Sequence, residues 1–148
     1  MASVTTQSPS RSSVAQPTAS KGLHIGLWVV QVLLAVAFFM AGLTKVTQPL
    51  EALAAQMPWT TAVPGALVRF IGTVEILGAL GLILPSATRI QPRLTPLAAL
   101  GLVVVMVLAS GVHVTRGELG MLPVNFVLAA LAAFVAWGRS KKAPIVAR

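Results

Sequence analysis

The sequence predicts an all-α fold, an integral membrane four-helix bundle with up-down-up-down topology. Three observations carry that expectation. Apolar residues make up 56% of the chain and charged residues 9%, against roughly 25% charged in a soluble domain. A chain so short of charge cannot cover a surface that faces water, whereas lipid accepts it. Four apolar stretches each have about the 17–25 residues a helix needs to cross hydrocarbon, and the basic residues fall unequally among the connections between them.

Residues 1–21 are rich in Ser, Thr, Gln and Ala and read as a disordered cytoplasmic tail. Lys21 precedes an apolar stretch, as in a signal peptide. That stretch is about twice the usual h-region of roughly 7–15 residues, and no small-x-small site ends it. It is expected to stay as the first span, 23–43, with no charged residue inside it. The connection 44–65 carries Pro49, Pro58, Trp59 and Pro64, and part of it is expected along the membrane interface. The second span, 66–84, contains Arg69 and Glu75 and is expected to close at Pro85. Pro92 and Pro96 bracket the start of the third span, 94–114, since the first amides of a helix have no partner to lose. The polar turn at 116–120 is short enough to make the third span and the fourth, 120–137, antiparallel neighbours. The transmembrane domain thus covers 22–139, and 140–148 is a basic cytoplasmic tail. All four spans must be helices, because lipid offers no partner for an open backbone and the runs do not alternate as barrel strands do.

With four spans, the N-terminal tail, the second connection and the C-terminal tail share one side. They hold eight basic residues: Arg11, Lys21, Arg89, Arg93, Arg139, Lys141, Lys142 and Arg148. The other two connections hold Lys45 and Arg116. The positive-inside rule then puts both termini in the cytoplasm of a cell-membrane protein, with Trp28 and Trp137 at the cytoplasmic headgroup level.

Several chemistries are excluded. The chain has no cysteine, which removes disulfides, thiolate metal sites and iron–sulfur clusters. His24 and His113 are expected at opposite ends of their spans, about 28 Å apart along the membrane normal, too far to share a haem iron. No carboxylate–histidine cluster has ligand spacing for a metal, and no nucleotide loop is present. The glycines at 72, 78 and 81 lie within an apolar span, where close helix packing accounts for them. The net charge of +8 reflects basic residues at span ends, not a nucleic-acid face.

Glu75 is the most informative residue. A charge at mid-span costs roughly 2.5–3.5 kcal/mol on translocon scales, so such a residue faces the bundle interior and has a partner. Arg69 is about 9 Å away along the axis and about 240° away around it, so the two are expected to bond to different neighbours. In an up-down bundle Lys45, Arg69, His113 and Asn125 all fall in the outer leaflet with Glu75 just below them. That placement suggests a polar pocket opening outward with Glu75 at its floor. The alternative is a purely structural Glu75 that pairs with Lys45 or Arg69 and sets helix register. Taken singly, Arg69 is expected to snorkel to the interface, Lys45 and Arg116 to act as interface anchors, and Asn125 to make an interhelical hydrogen bond.

Three stretches carry a family resemblance: Ala41-Gly42-Leu43-Thr44-Lys45; the run Arg69-Phe70-Ile71-Gly72-Thr73-Val74-Glu75-Ile76-Leu77-Gly78 on through Gly81 to Pro85; and Asn125 with Trp137-Gly138-Arg139. Over residues 25–139 the chain resembles the DoxX-like family of small four-helix membrane proteins. The resemblance implies an accessory membrane subunit of a quinone-linked oxidoreductase, with Lys45, Arg69 and Glu75, joined by His113 and Asn125, contacting a quinone headgroup. A soluble or membrane redox partner would hold the redox cofactor, so the chain is not expected to be an enzyme alone. It equally allows a non-catalytic scaffold or assembly factor. A small-solute permease ranks last, because one polar midplane residue makes a poor pathway unless the chain forms a homo-oligomer.

Overall fold

A computed structural model describes residues 20–148 of the chain; most of the tail expected at 1–21 lies outside them. The described residues form five α-helices joined by short helical turns: α1 (Lys21–Thr47), α2 (Leu50–Gln56), α3 (Gly65–Thr88), α4 (Leu94–Thr115) and α5 (Leu122–Trp137). Four helical segments are long and apolar enough to cross a membrane: Lys21–Thr47, Gly65–Thr88, Leu94–Thr115 and Leu119–Lys142. The protein is therefore a multi-pass membrane protein, and no strand occurs among the described residues.

Local chemistry sets the boundaries. Ser20 caps α1, its hydroxyl accepting from the Leu23 amide at 3.3 Å, as N-terminal serine commonly does. The helix ends where Pro49 forces Gln48 into extended backbone, φ −78° and ψ 149°. The connection expected at the interface holds α2 and a 3₁₀ turn, Pro58–Ala62, that carries Trp59. Pro85 does not close the second span, as its sequence position suggested: it lies inside α3, which runs on to Thr88. A proline one turn from a helix end removes a single backbone bond, and the buried Ser86 and Thr95 hydroxyls, 2.8 Å apart, hold that last turn against α4. Arg89, in the left-handed region at φ 60°, terminates it. The fourth span also differs from 120–137. It begins with a 3₁₀ turn, Leu119–Met121, and continues beyond Trp137 through a π-helical turn, Gly138–Lys142.

The helices present stripes to one another. Leu27, Gln31, Leu34, Phe38, Gly42 and Lys45 are the buried residues of α1. Val68, Gly72, Glu75, Ala79, Leu82 and Ser86 are those of α3. Both sets advance by steps of three and four, the seam of helices crossing at shallow angle. The contacts give the directions. Gln31 early in α1 meets Leu82 late in α3, and Lys45 at the end of α1 meets Glu75 nearer the start of α3, so this pair runs antiparallel. The core joins Leu34 and Phe38 to Ala79, Leu82, Ala99, Leu102 and Met106, and to Ala132, Val135 and Ala136 of α5. The outward faces carry exposed Val29, Leu33, Phe70, Leu77, Val107 and Phe126, apolar surface for which lipid is the solvent.

Candidate functional site

The site begins with a close helix contact. A Cβ on Gly42 would lie 2.5 Å from the Gly72 carbonyl oxygen, and one on Gly72 would lie 2.8 Å from the Gly42 oxygen, so only glycine lets α1 and α3 approach this closely. Beside this contact the two stripes carry Lys45, next to Gly72, and Glu75, next to Gly42. The Lys45 ammonium donates to Glu75 Oε2 at 2.8 Å, to Oε1 at 3.1 Å and to the Ala41 carbonyl at 3.4 Å. Both side chains are buried, and the two carboxylate oxygens with the Ala41 carbonyl give the three ammonium protons three acceptors.

Arg69, one α3 stripe away from Glu75, joins the same residue from another direction: its Nη1 donates to the Lys45 carbonyl at 2.5 Å. The expected angular separation thus holds, but the two converge on one neighbour, binding its side chain and its backbone. Arg69 is half-buried, its guanidinium held by that bond at the end of α1. Lys45 is not an interface anchor. It is drawn inward because the glycine contact puts a carboxylate within its reach.

The third wall comes from α4 and the turn beyond it. Gly117 takes φ 72°, which L-residues avoid. It lets the Gly117 amide bond Val114 and the Glu118 amide bond His113, a Schellman end. The chain therefore folds back and sets Glu118 over His113, whose Nδ1 lies 2.8 Å from Glu118 Oε2. Arg116 Nε donates to Glu118 Oε1 at 2.7 Å and Arg116 Nη2 to the Pro58 carbonyl at 3.3 Å, clasping the first and third connections together. The Arg116 bond first, then His113, holds the Glu118 carboxyl below its ordinary value of 4.5. Glu118 was not anticipated as a site residue; the signal was the glycine placed to turn the end of α4 back on itself.

Asn125 completes the site from α5. The expected interhelical hydrogen bond is not formed: Asn125 is buried and its Nδ2 has no partner, in a bundle where most buried polar groups are paired. Two adjoining cavities, about 520 and 350 Å³, meet at these side chains. Lys45, Glu75, His113 and Asn125 line both, together with Trp59 and Met106. Arg69 lines neither. The volumes fall in the usual range for small-ligand sites, and the walls are apolar apart from these four polar side chains and, in the larger cavity, Gln56 and Glu118. Among the described residues no group of three or more His, Cys, Asp or Glu side chains is placed to hold a metal ion. His24 stands apart from this cavity, its Nδ1 3.2 Å from Nη1 of Arg139.

A family model described as the DoxX-like family matches residues 29–135. No curated protein and no solved structure matches the chain.

Proposed function

The chain belongs to the DoxX-like family, and from that premise we propose that it is an accessory membrane subunit that binds a quinone headgroup for a quinone-linked oxidoreductase. The observation that carries this reading is the unpartnered Nδ2 of Asn125 on a cavity whose other polar side chains are Lys45, Glu75 and His113 and whose remaining walls are apolar. A buried amide donor without a protein partner is costly, and a flat apolar ring bearing a carbonyl acceptor offsets that cost while filling the space beside Phe70, Val105 and Met106. A quinone supplies two-electron chemistry that needs protons, and the electrons come from a soluble or membrane partner. His113 touches both the cavity and Glu118 on the adjoining turn, which suits it to pass protons inward. Lys45 and Glu75 form the polar floor and fix the two helices that carry the walls. In this reading both termini face the cytoplasm and the cavity opens in the outer leaflet of the cell membrane, as the basic residues in the connections favour.

A second reading, a non-catalytic scaffold or assembly factor, is favoured by the closed Lys45–Glu75 pair, whose hydrogen-bonding groups are already used. Mild-detergent purification from the native membrane separates the two, with copurifying proteins and extractable quinone measured in one sample. A stoichiometric redox partner and bound quinone, the quinone lost on Asn125→Leu, is the expected result. A homogeneous protein with neither overturns it in favour of the scaffold.

A further inference from the structure

The opposite end of the bundle carries a second polar cluster that the Lys45 cavity does not use. Arg139, in the π-helical turn after α5, is 4% exposed. Its Nε donates to Gln31 Oε1 at 2.5 Å, and Gln31 in turn donates to the Leu82 carbonyl at 2.7 Å. Its Nη1 donates to the Ala143 carbonyl at 3.3 Å, its guanidinium carbon lies 5.4 Å from the Trp28 ring centroid, and its Nη2 has no partner. His24 Nδ1 lies 3.2 Å from the same Nη1, and none of these partners is a carboxylate. A buried cation without a counter-charge is costly, and none of the chain's three acidic side chains, Glu51, Glu75 and Glu118, lies within ion-pair distance of it.

Arg139 instead lines a cavity of about 750 Å³ with Arg89, Arg93 and Arg148. These four come from three segments. Arg89 ends α3 in the left-handed region and Arg93 precedes α4. Arg148 is folded back over that connection by the bond from its amide to the Arg89 carbonyl, 3.3 Å. No side chain caps the first turn of α4, which opens at the same place, so its partial positive charge adds to that of the four guanidinium groups. Beside this polar cluster the surface is apolar. Ile90 is 68% exposed and Val146 79% exposed, and Leu97, Leu100 and Val104 form an exposed stripe leading away along α4.

We propose that this cavity binds the phosphate group of an anionic phospholipid, with the acyl chains lying along the exposed stripe of α4. Guanidinium forks match phosphate oxygens two at a time, and basic pockets between membrane helices suit such headgroups. Free inorganic phosphate shares the recognising chemistry but makes no use of the stripe. The site is separate from the quinone cavity, so either can fail without the other.

The test uses the full chain in nanodiscs of phosphatidylcholine with and without phosphatidylglycerol, and the chain in detergent with inorganic phosphate against chloride at equal ionic strength. Lipid retention is read by native mass spectrometry and stability by thermal unfolding. Phosphatidylglycerol is expected to be retained and to raise the unfolding temperature. Arg93→Gln with Arg148→Gln is expected to cut retention about tenfold, because both residues are exposed and their loss spares the buried network. Stabilisation by inorganic phosphate equal to that by phosphatidylglycerol overturns the lipid as the source. Phosphatidylglycerol binding no better than phosphatidylcholine, or unchanged in the double variant, overturns the site.

Discussion

Lys45 and Glu75 flank the contact at which Gly42 and Gly72 bring α1 and α3 together, Lys45 beside Gly72 and Glu75 beside Gly42, and the Lys45 ammonium reaches both carboxylate oxygens, at 2.8 and 3.1 Å. The ion pair and the glycine contact are one construction. Without the close approach the ammonium would fall short of the carboxylate, and without the pair two charges would stand alone in an apolar bundle.

Removing one charge is therefore worse than removing both. Glu75→Gln or Lys45→Met alone is expected to destabilise the detergent-solubilised protein by about 3–5 kcal/mol, while Lys45→Met with Glu75→Leu returns most of that loss. A double-mutant cycle on denaturant unfolding reads the coupling; additive single effects would show that the two charges do not depend on each other.

The glycines divide by what stands opposite them. Gly72→Ala places a methyl 2.8 Å from the Gly42 carbonyl oxygen, where backbone must move, and is expected to cost about 1–3 kcal/mol. Gly101→Ala meets nothing within 4 Å and is expected to be neutral or to gain about 0.5–1 kcal/mol of helix propensity. Thermal unfolding of the two variants side by side checks the contrast, and equal effects would remove the close contact as the reason for glycine at 72.

Asn125→Leu trades an unpartnered amide for an apolar side chain of similar size. In protein stripped of ligand it is expected to stabilise by about 1 kcal/mol or leave stability unchanged. In protein purified with native lipid it abolishes quinone retention. Destabilisation of the stripped form by several kcal/mol would mean that the amide has a partner within the protein after all.

The clasp around Glu118 depends on pH. Its native pKa lies below the ordinary 4.5 because of Arg116 and His113. It therefore binds fewer protons folded than unfolded, and its stabilisation is fully present above that ordinary value. The contribution fades as the pH falls from there through the depressed native pKa. The difference in unfolding temperature between wild type and Glu118→Gln is expected to shrink across that acid window and to stay constant above it. Arg116→Gln, which removes the larger cause, is expected to move the fading to higher pH. A difference that grows with acidity would contradict the clasp.

Much of this was legible in the residues themselves. Glu75 at mid-span required an interior position and a partner, because an isolated charge in hydrocarbon is too costly to leave unpaired. The partner, Lys45, was among the two considered. The rest turned on distances that depth and spacing do not give. Arg69 and Glu75 lie on different faces of α3, yet both bond Lys45, because a backbone carbonyl and an ammonium of one residue point in different directions. Asn125 has the composition of an interhelical bond but no acceptor in place. The Gln31–Arg139 network joins residues 108 positions apart, and only Gln31, a lone amide in an uncharged apolar run, hinted at it.

By itself, the sequence determined the environment and the four membrane-length helices. Those follow from hydropathy, helical rise and the cost of an open backbone in lipid, all of which act along the chain. The tertiary structure decided which polar groups pair, which stay unpartnered and where cavities form. Pairing depends on how closely two helices approach, and here that is set by facing glycines and by a left-handed turn at the end of α4, features whose effect appears only once a second segment is placed against the first.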